Sequence, residues 1–124
     1  MFPFEKLTVW ERGLDLADAV YDATQTFPND ELYGLTSQVR RSANSVPANI
    51  AEGACRDSAK EQVRYVEIAF GSLMETVSHL RLAVRRRFIT QQTHDSLYAE
   101  AESLGKMLSN FRKHLLTKPN RPRR

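Results

Sequence analysis

A single cysteine, Cys55, occurs in 124 residues, so no disulfide can form within the chain and no zinc site can be built on thiolates. A reducing compartment, the cytoplasm, is the expected setting. No run approaches the ~18 consecutive apolar residues that a membrane span requires. Residues 1–5 lack a basic start followed by an apolar stretch, so a secretory signal is not expected either. Glycine and proline are scarce, at five each, which argues against a loop-rich or low-complexity chain. Alternating β-branched runs bounded by turns are missing, and with them any strand.

Motifs for chemistry are equally thin. His79, His94 and His114 fall on different helices or helix ends and share no repeated spacing, so each reads as a surface or helix-end residue. Di-iron bundles use Glu-x-x-His on two helices, and the nearest approach here is Glu75 and His79, spaced by four and occurring once. His-Glu-x-x-His and Gly-rich phosphate loops are absent. Ser72 follows Gly71 in mid-helix, the wrong setting for a nucleophile elbow. Arg56 beside Cys55 would favour a thiolate, but no histidine pairs with it. No catalysis, metal or cofactor is expected.

What is present is helical periodicity, four times over. Helix 1 should begin at Thr8, where Thr8-x-x-Glu11 has the form of a capping box, and stop at Phe27-Pro28. Its apolar positions are Trp10, Leu14, Ala17, Val20 and Tyr21, while Glu11, Asp15, Asp18 and Asp22 line the other side. Such a like-charge stripe faces open water or meets bases elsewhere. Helix 2 follows Asn29-Asp30 and runs to about Gly53, with Leu32, Leu35, Val39, Ala43, Val46 and Ile50 as its core stripe. Pro47 lies within it and predicts a kink. Helix 3 opens at Ser58-x-x-Glu61, a second capping box, and runs to Arg87. Its unbroken three-four seam is Val63, Val66, Phe70, Leu73, Val77, Leu80 and Val84. Helix 4 starts with Thr90 or Thr93 as cap and carries Leu97, Ala101, Leu104, Leu108, Phe111 and Leu115. Short connections imply antiparallel neighbours, and hence an all-α, up-down-up-down four-helix bundle over residues 1–116. Residues 117–124, polar and holding two prolines, form a flexible basic tail.

Two surface patterns bear on function. Helix 3 has a second stripe opposite its seam, Tyr65, Ile68, Ser72, Glu75, His79 and Leu82, and three large apolar side chains there suggest that a sister chain covers it. Helix 2 adds a polar flank of Gln38, Arg41, Ser45, Asn49 and Glu52, suited to bridging helices or subunits. Charge is also segregated. Residues 1–39 hold seven acids and two bases, and residues 40–124 hold eight acids and sixteen bases. Such polarity fits a surface for a polyanion or charge-complementary contacts between copies. The bases cluster at Arg40-Arg41 with Arg56, Lys60 and Arg64, at Arg81 with Arg85, Arg86 and Arg87, and at Arg112-Lys113 with Lys118, Arg121, Arg123 and Arg124. The last two clusters are the candidate phosphate contacts. No recognition-helix motif and no aromatic stacking surface accompany them.

The segment Phe27-Pro28-x-x-Glu31-x-Tyr33-Gly34-Leu35-x-x-Gln38-x-Arg40-Arg41-Ser42-Ala43, followed by Ser45-Val46-Pro47-Ala48-Asn49-Ile50-Ala51-Glu52-Gly53, resembles the four-helix bundle proteins encoded in intervening sequences of bacterial 23S ribosomal RNA genes. Leu7-x-Val9-Trp10 and Gly71-Ser72-Leu73-x-Glu75 extend the resemblance over about residues 7–116. It implies a left-handed bundle that assembles as a ring-like homopentamer, with no established activity. A more distant likeness, to the accessory subunit of diversity-generating retroelements, implies a basic surface that binds nucleic acid and a reverse transcriptase. The motif residues Gln38, Arg41, Asn49, Glu52 and Glu75 fall on the contact surfaces already marked, which favours a structural role. The expectation is a non-enzymatic homopentamer binding RNA or DNA. The competing reading is a protein-interaction scaffold.

Overall fold

The computed structural model describes residues 1–118. Four helices account for most of them: α1 (Thr8–Thr24), α2 (Leu35–Ala54), α3 (Ala59–Arg85) and α4 (Gln91–Thr117). Short 3-10 turns precede α1 (Pro3–Lys6) and α2 (Asn29–Glu31), and there is no strand among the described residues. The chain from Asn29 to Gly34 therefore forms a tight turn ahead of α2, and the helix starts at Leu35, later than the periodicity predicts. The α1 cap differs too. Leu7 takes the cap position without a side-chain bond, and Thr8 is the first helical residue. Ser58 and Thr90 cap as expected, accepting the amide protons of Glu61 and Thr93.

Each helix touches two others: α1 meets α2 and α4, and α3 meets α2 and α4, with the closest association between α2 and α3. Helices α1 and α3 thus lie on one diagonal and α2 and α4 on the other. Cross-helix partners run in opposite numerical directions: Asn44 bonds Tyr21 and Arg40 bonds Thr24, while Ser45 bonds Ser72 and Ser42 bonds Thr76. The shared core is aliphatic, with Leu16, Val20, Val39, Val46, Ile50, Leu73, Leu80, Leu104 and Leu108 almost completely buried.

The predicted α4 seam lies in or against this core, as does the α2 seam except for Leu32, which is 48% exposed ahead of the helix; in the α3 seam Phe70, Val77 and Val84 are only half-buried. The seam of α1 is turned. Val9, Gly13, Leu16, Ala17, Val20 and Thr24 are buried, whereas Leu14 and Tyr21 are 38% and 39% exposed. Small residues explain the rotation. A Cβ on Gly13 would stand 3.3 Å from the Pro47 ring, so α1 and α2 approach where neither has bulk, and the larger side chains move to the flank. Helix α2 runs without a break through Pro47.

Helix α3 ends on a backbone motif usually completed by glycine. The Phe88 amide donates to the Ala83 carbonyl at 2.9 Å and the Arg87 amide to the Val84 carbonyl at 3.1 Å. Arg87 takes the left-handed position between them, with φ of 63°. For a residue with a Cβ this conformation costs roughly 1–2 kcal/mol.

Candidate functional site

The polar flank of α2 and the second stripe of α3, separated by up to 44 residues in sequence, lie side by side along the α2–α3 seam. Ser45 and Ser72 share a hydrogen bond at 2.8 Å, and the Asn49 amide donates to both the carbonyl and the hydroxyl of Ser45. Deeper in, Ser42 and Thr76 share a buried bond at 2.8 Å. Where the helices converge, a Cβ on Gly53 would stand 2.7 Å from that of Tyr65, so only glycine allows the approach. Tyr65 in turn accepts from Arg56, whose guanidinium packs over its ring and also pairs with Glu52. The Tyr65 side chain holds the Arg56 pKa above its ordinary value. Glu75 pairs with His79 one turn along α3. The marked contact residues therefore divide. Asn49, Glu52, Tyr65, Ser72 and Glu75 have partners within the chain, and Gln38, Arg41, Ile68 and Leu82 stand exposed on the ridge.

The two basic clusters do not join. Arg81, Arg85, Arg86 and Arg87 are exposed at the C-terminal end of α3, beside the start of α4, and no ion pair involves them among the described residues. Arg112, Lys113 and Lys118 are exposed at the far end of α4. Arg112 stands opposite Glu67, 14 to 20 residues before Arg81–Arg87 along α3, which separates the two clusters by roughly 20–30 Å at ~1.5 Å per residue. Arg112 donates to Glu67 of α3 at 3.0 Å, which offsets part of its charge. Arg121, Arg123 and Arg124 lie outside the described residues. Arg40, grouped with Arg41 in the sequence, bonds Thr24 and covers the Tyr21 ring.

The structure adds a feature that sequence reading missed, an apolar groove of about 620 Å³ between α3 and α4. Phe70, Met74, Val77 and Tyr98 line it, and Lys106 and Lys113 stand at its rim. Phe70 and Val77 belong to the predicted α3 seam but remain half-exposed, and Gly105 of α4, with no side chain of its own, lies beside Phe70 and Leu73. That glycine in mid-helix was the available signal. At one end of the groove His94 lies in the first turn of α4, a helix end as expected, but it is buried rather than on the surface, with its ring against Tyr98. Its Nδ1 lies 3.0 Å from the Asp95 carboxylate, and its Nε2 has no partner. The bonds from His94 and Gln91 hold the Asp95 carboxyl below its ordinary pKa.

Among the described residues, no group of three or more His, Cys, Asp or Glu side chains is placed to hold a metal ion. No described helix is long and apolar enough to cross a membrane.

No curated protein matches the chain in sequence. Among solved structures, a protein of unknown function from the S23 ribosomal protein family of Bacteroides thetaiotaomicron VPI-5482 superposes with a TM-score of 0.79. It is 24% identical and covers 86% of this chain and 99% of its own, a likeness that bears on the fold. A family profile described as 23S rRNA-intervening sequence protein matches residues 5–110. That match takes in the whole seam between α2 and α3 with its serines, Asn49 and Gly53, and the chain belongs to the family of 23S rRNA-intervening sequence proteins.

Proposed function

We propose that the protein is a non-enzymatic, cytoplasmic homopentamer of left-handed up-down-up-down bundles that binds RNA or DNA through phosphates. The opposed numbering of bonded pairs across α1–α2 and α2–α3 supports the antiparallel order. The exposed apolar pair Ile68 and Leu82 on the α2–α3 ridge supports a covering sister chain. The observation that carries nucleic-acid binding is the group of four exposed arginines at one end of the bundle, in no ion pair among the described residues, one of them in a strained backbone position where glycine would be more stable. Strain retained at a charged position is consistent with a use for the charge.

Arginines concentrated at one end of each subunit give an oligomer several copies of the same patch, which raises avidity for a long polyanion. The test is RNA and DNA binding titrated against salt. About four phosphates per engaged patch are expected from the slope. A slope near one phosphate or fewer, or no loss on replacing Arg81, Arg85 and Arg86 by Gln, overturns the reading.

The scaffold reading is favoured by one separate observation, the open apolar groove between α3 and α4. Capture of one defined protein partner that survives nuclease treatment would support it over nucleic-acid binding.

A further inference from the structure

Resting on the nucleic-acid reading above, we propose that the arginine end of the bundle takes single-stranded RNA or DNA, with an unpaired base stacked on Tyr33 and the flanking phosphates on Arg85 and Arg86. The chain has four tyrosines, and three of them have ring partners. Arg40 lies over Tyr21 at 4.8 Å, Arg56 lies over Tyr65 at 5.0 Å, and the His94 ring stands 6.0 Å from that of Tyr98. Tyr33 has no ring partner among the described residues and is 94% exposed. A lone exposed aromatic residue is ordinary. One held out on a fixed turn beside a group of arginines is not.

The turn is closed by its own bonds. The amides of Glu31, Leu32 and Gly34 donate to the carbonyls of Pro28, Asn29 and Glu31. The Glu31 carboxylate accepts the Leu35 amide at 3.1 Å, and a Cβ on Gly34 would stand 3.0 Å from that carboxylate. Tyr33 is therefore presented from an ordered backbone, which lowers the entropy lost on stacking. The fold carries this turn to the arginines. Thr26 Oγ1 donates to the Phe88 carbonyl at 2.8 Å, and the Phe27 and Phe88 rings meet at 5.5 Å, so the α1–α2 and α3–α4 connections are tied together. Across the α2–α3 seam Ser45 faces Ser72 and Ser42 faces Thr76. Continued toward the start of α2, that antiparallel register sets Leu35 level with Ala83, and the turn just before it level with Arg85 and Arg86. Tyr33 thus reaches the arginine end although it precedes Arg85 by 52 residues, which is why no stacking surface is visible beside these arginines in the sequence. A cationic track for the backbone and an aromatic face for the base are the two parts of a single-strand site. A duplex offers phosphates to the arginines but keeps its base faces stacked and paired, so Tyr33 selects the single strand. Asp30, exposed in the same turn, repels phosphate and leaves the arginine side for the backbone.

The experiment measures affinity at fixed salt for a single-stranded oligonucleotide, its duplex, and an abasic single strand of the same length. The proteins are the whole wild-type chain, Tyr33→Ala, Tyr33→Phe, and Arg85→Gln with Arg86→Gln. Tyr33→Ala is expected to weaken single-strand binding about tenfold and to erase the preference for single strand over duplex. Tyr33→Phe should restore both, because the ring is kept. The abasic strand should bind the wild type about as weakly as the intact strand binds Tyr33→Ala. The double arginine variant should lower the salt slope by about one phosphate per arginine. Single-strand affinity that is indifferent to Tyr33→Ala and to loss of the bases overturns the stacking while phosphate binding stands. A change of solution mass by light scattering in Tyr33→Ala also overturns it, since Tyr33 would then be a contact between copies. A wild-type protein that binds none of the three strands overturns both readings.

Discussion

The two flanks of helix α3 are built on opposite plans. Toward α2 the residues are small and polar, and the seam is closed: Ser42 meets Thr76, Ser45 meets Ser72, and Gly53 lets Tyr65 come against the helix backbone. Toward α4 the residues are large and apolar, and the seam stands open over about 620 Å³, with Gly105 among its lining residues. Residues that carry the resemblance in sequence, Ser42, Ser45, Asn49, Gly53 and Ser72 among them, lie in the closed seam between α2 and α3. The open groove leaves apolar surface of Phe70, Met74, Val77 and Tyr98 accessible. Residues that mark a family can thus report on architecture.

Glycine substitutions break this comparison most sharply. Gly53→Ala should cost about 1–3 kcal/mol by overpacking, since the new Cβ has Tyr65 2.7 Å away and close to the α3 backbone. Urea denaturation measures the loss, and an unchanged midpoint would mean that the closed seam tolerates bulk. Thr76→Val removes one partner of the buried hydroxyl pair and should cost about 1–2 kcal/mol in the same assay. Arg87→Gly should gain about 1 kcal/mol by relieving the left-handed arginine, while weakening nucleic-acid binding. A gain in stability without a loss of binding would separate the strain from the function. Gly105→Ala meets Leu73 and Phe70 at 3.6 and 3.7 Å, ordinary contact distances. It should be neutral or stabilising by up to ~1 kcal/mol, the opposite sign to Gly53→Ala.

The smallest effect is expected at the end of the groove. The bonds to Asp95 depress its pKa below the ordinary 3.8, so their contribution is present above that value and is lost as pH falls through the lower folded value. A stability difference between wild type and Asp95→Asn should exist at pH 6 and shrink below about pH 4, where the unfolded-state carboxyl becomes protonated. Thermal melts across that range test it, and a difference that does not vary with pH would refute the role of the carboxylate.

Much of the fold was legible. Apolar spacing located the seams of α2, α3 and α4, and Ser58 and Thr90 marked two helix starts because a side-chain oxygen capping an amide is a local interaction. The boundary at Leu35 was not legible: the Asn29–Glu31 turn continues the apolar spacing through Leu32 without being α-helical. Nor was the facing of α1. Its apolar residues spread over a wide arc, and the choice within that arc depends on Gly13 meeting Pro47, 34 residues away. For the candidate site, the sequence identified which bases cluster along the chain but not that α3 and α4 hold two of those clusters apart in space.

The sequence by itself determined the helical class, three core seams, the segregation of acids and bases, and family membership, because each follows from residue type at short spacing. Tertiary structure alone decided that two separate polar strips form one seam, that His94 is buried, and that a groove lies open between α3 and α4. Those outcomes depend on which side chain stands opposite which across a helix pair. Periodicity along one helix sets the phase of its own face and carries no term for the size of the residue that meets it.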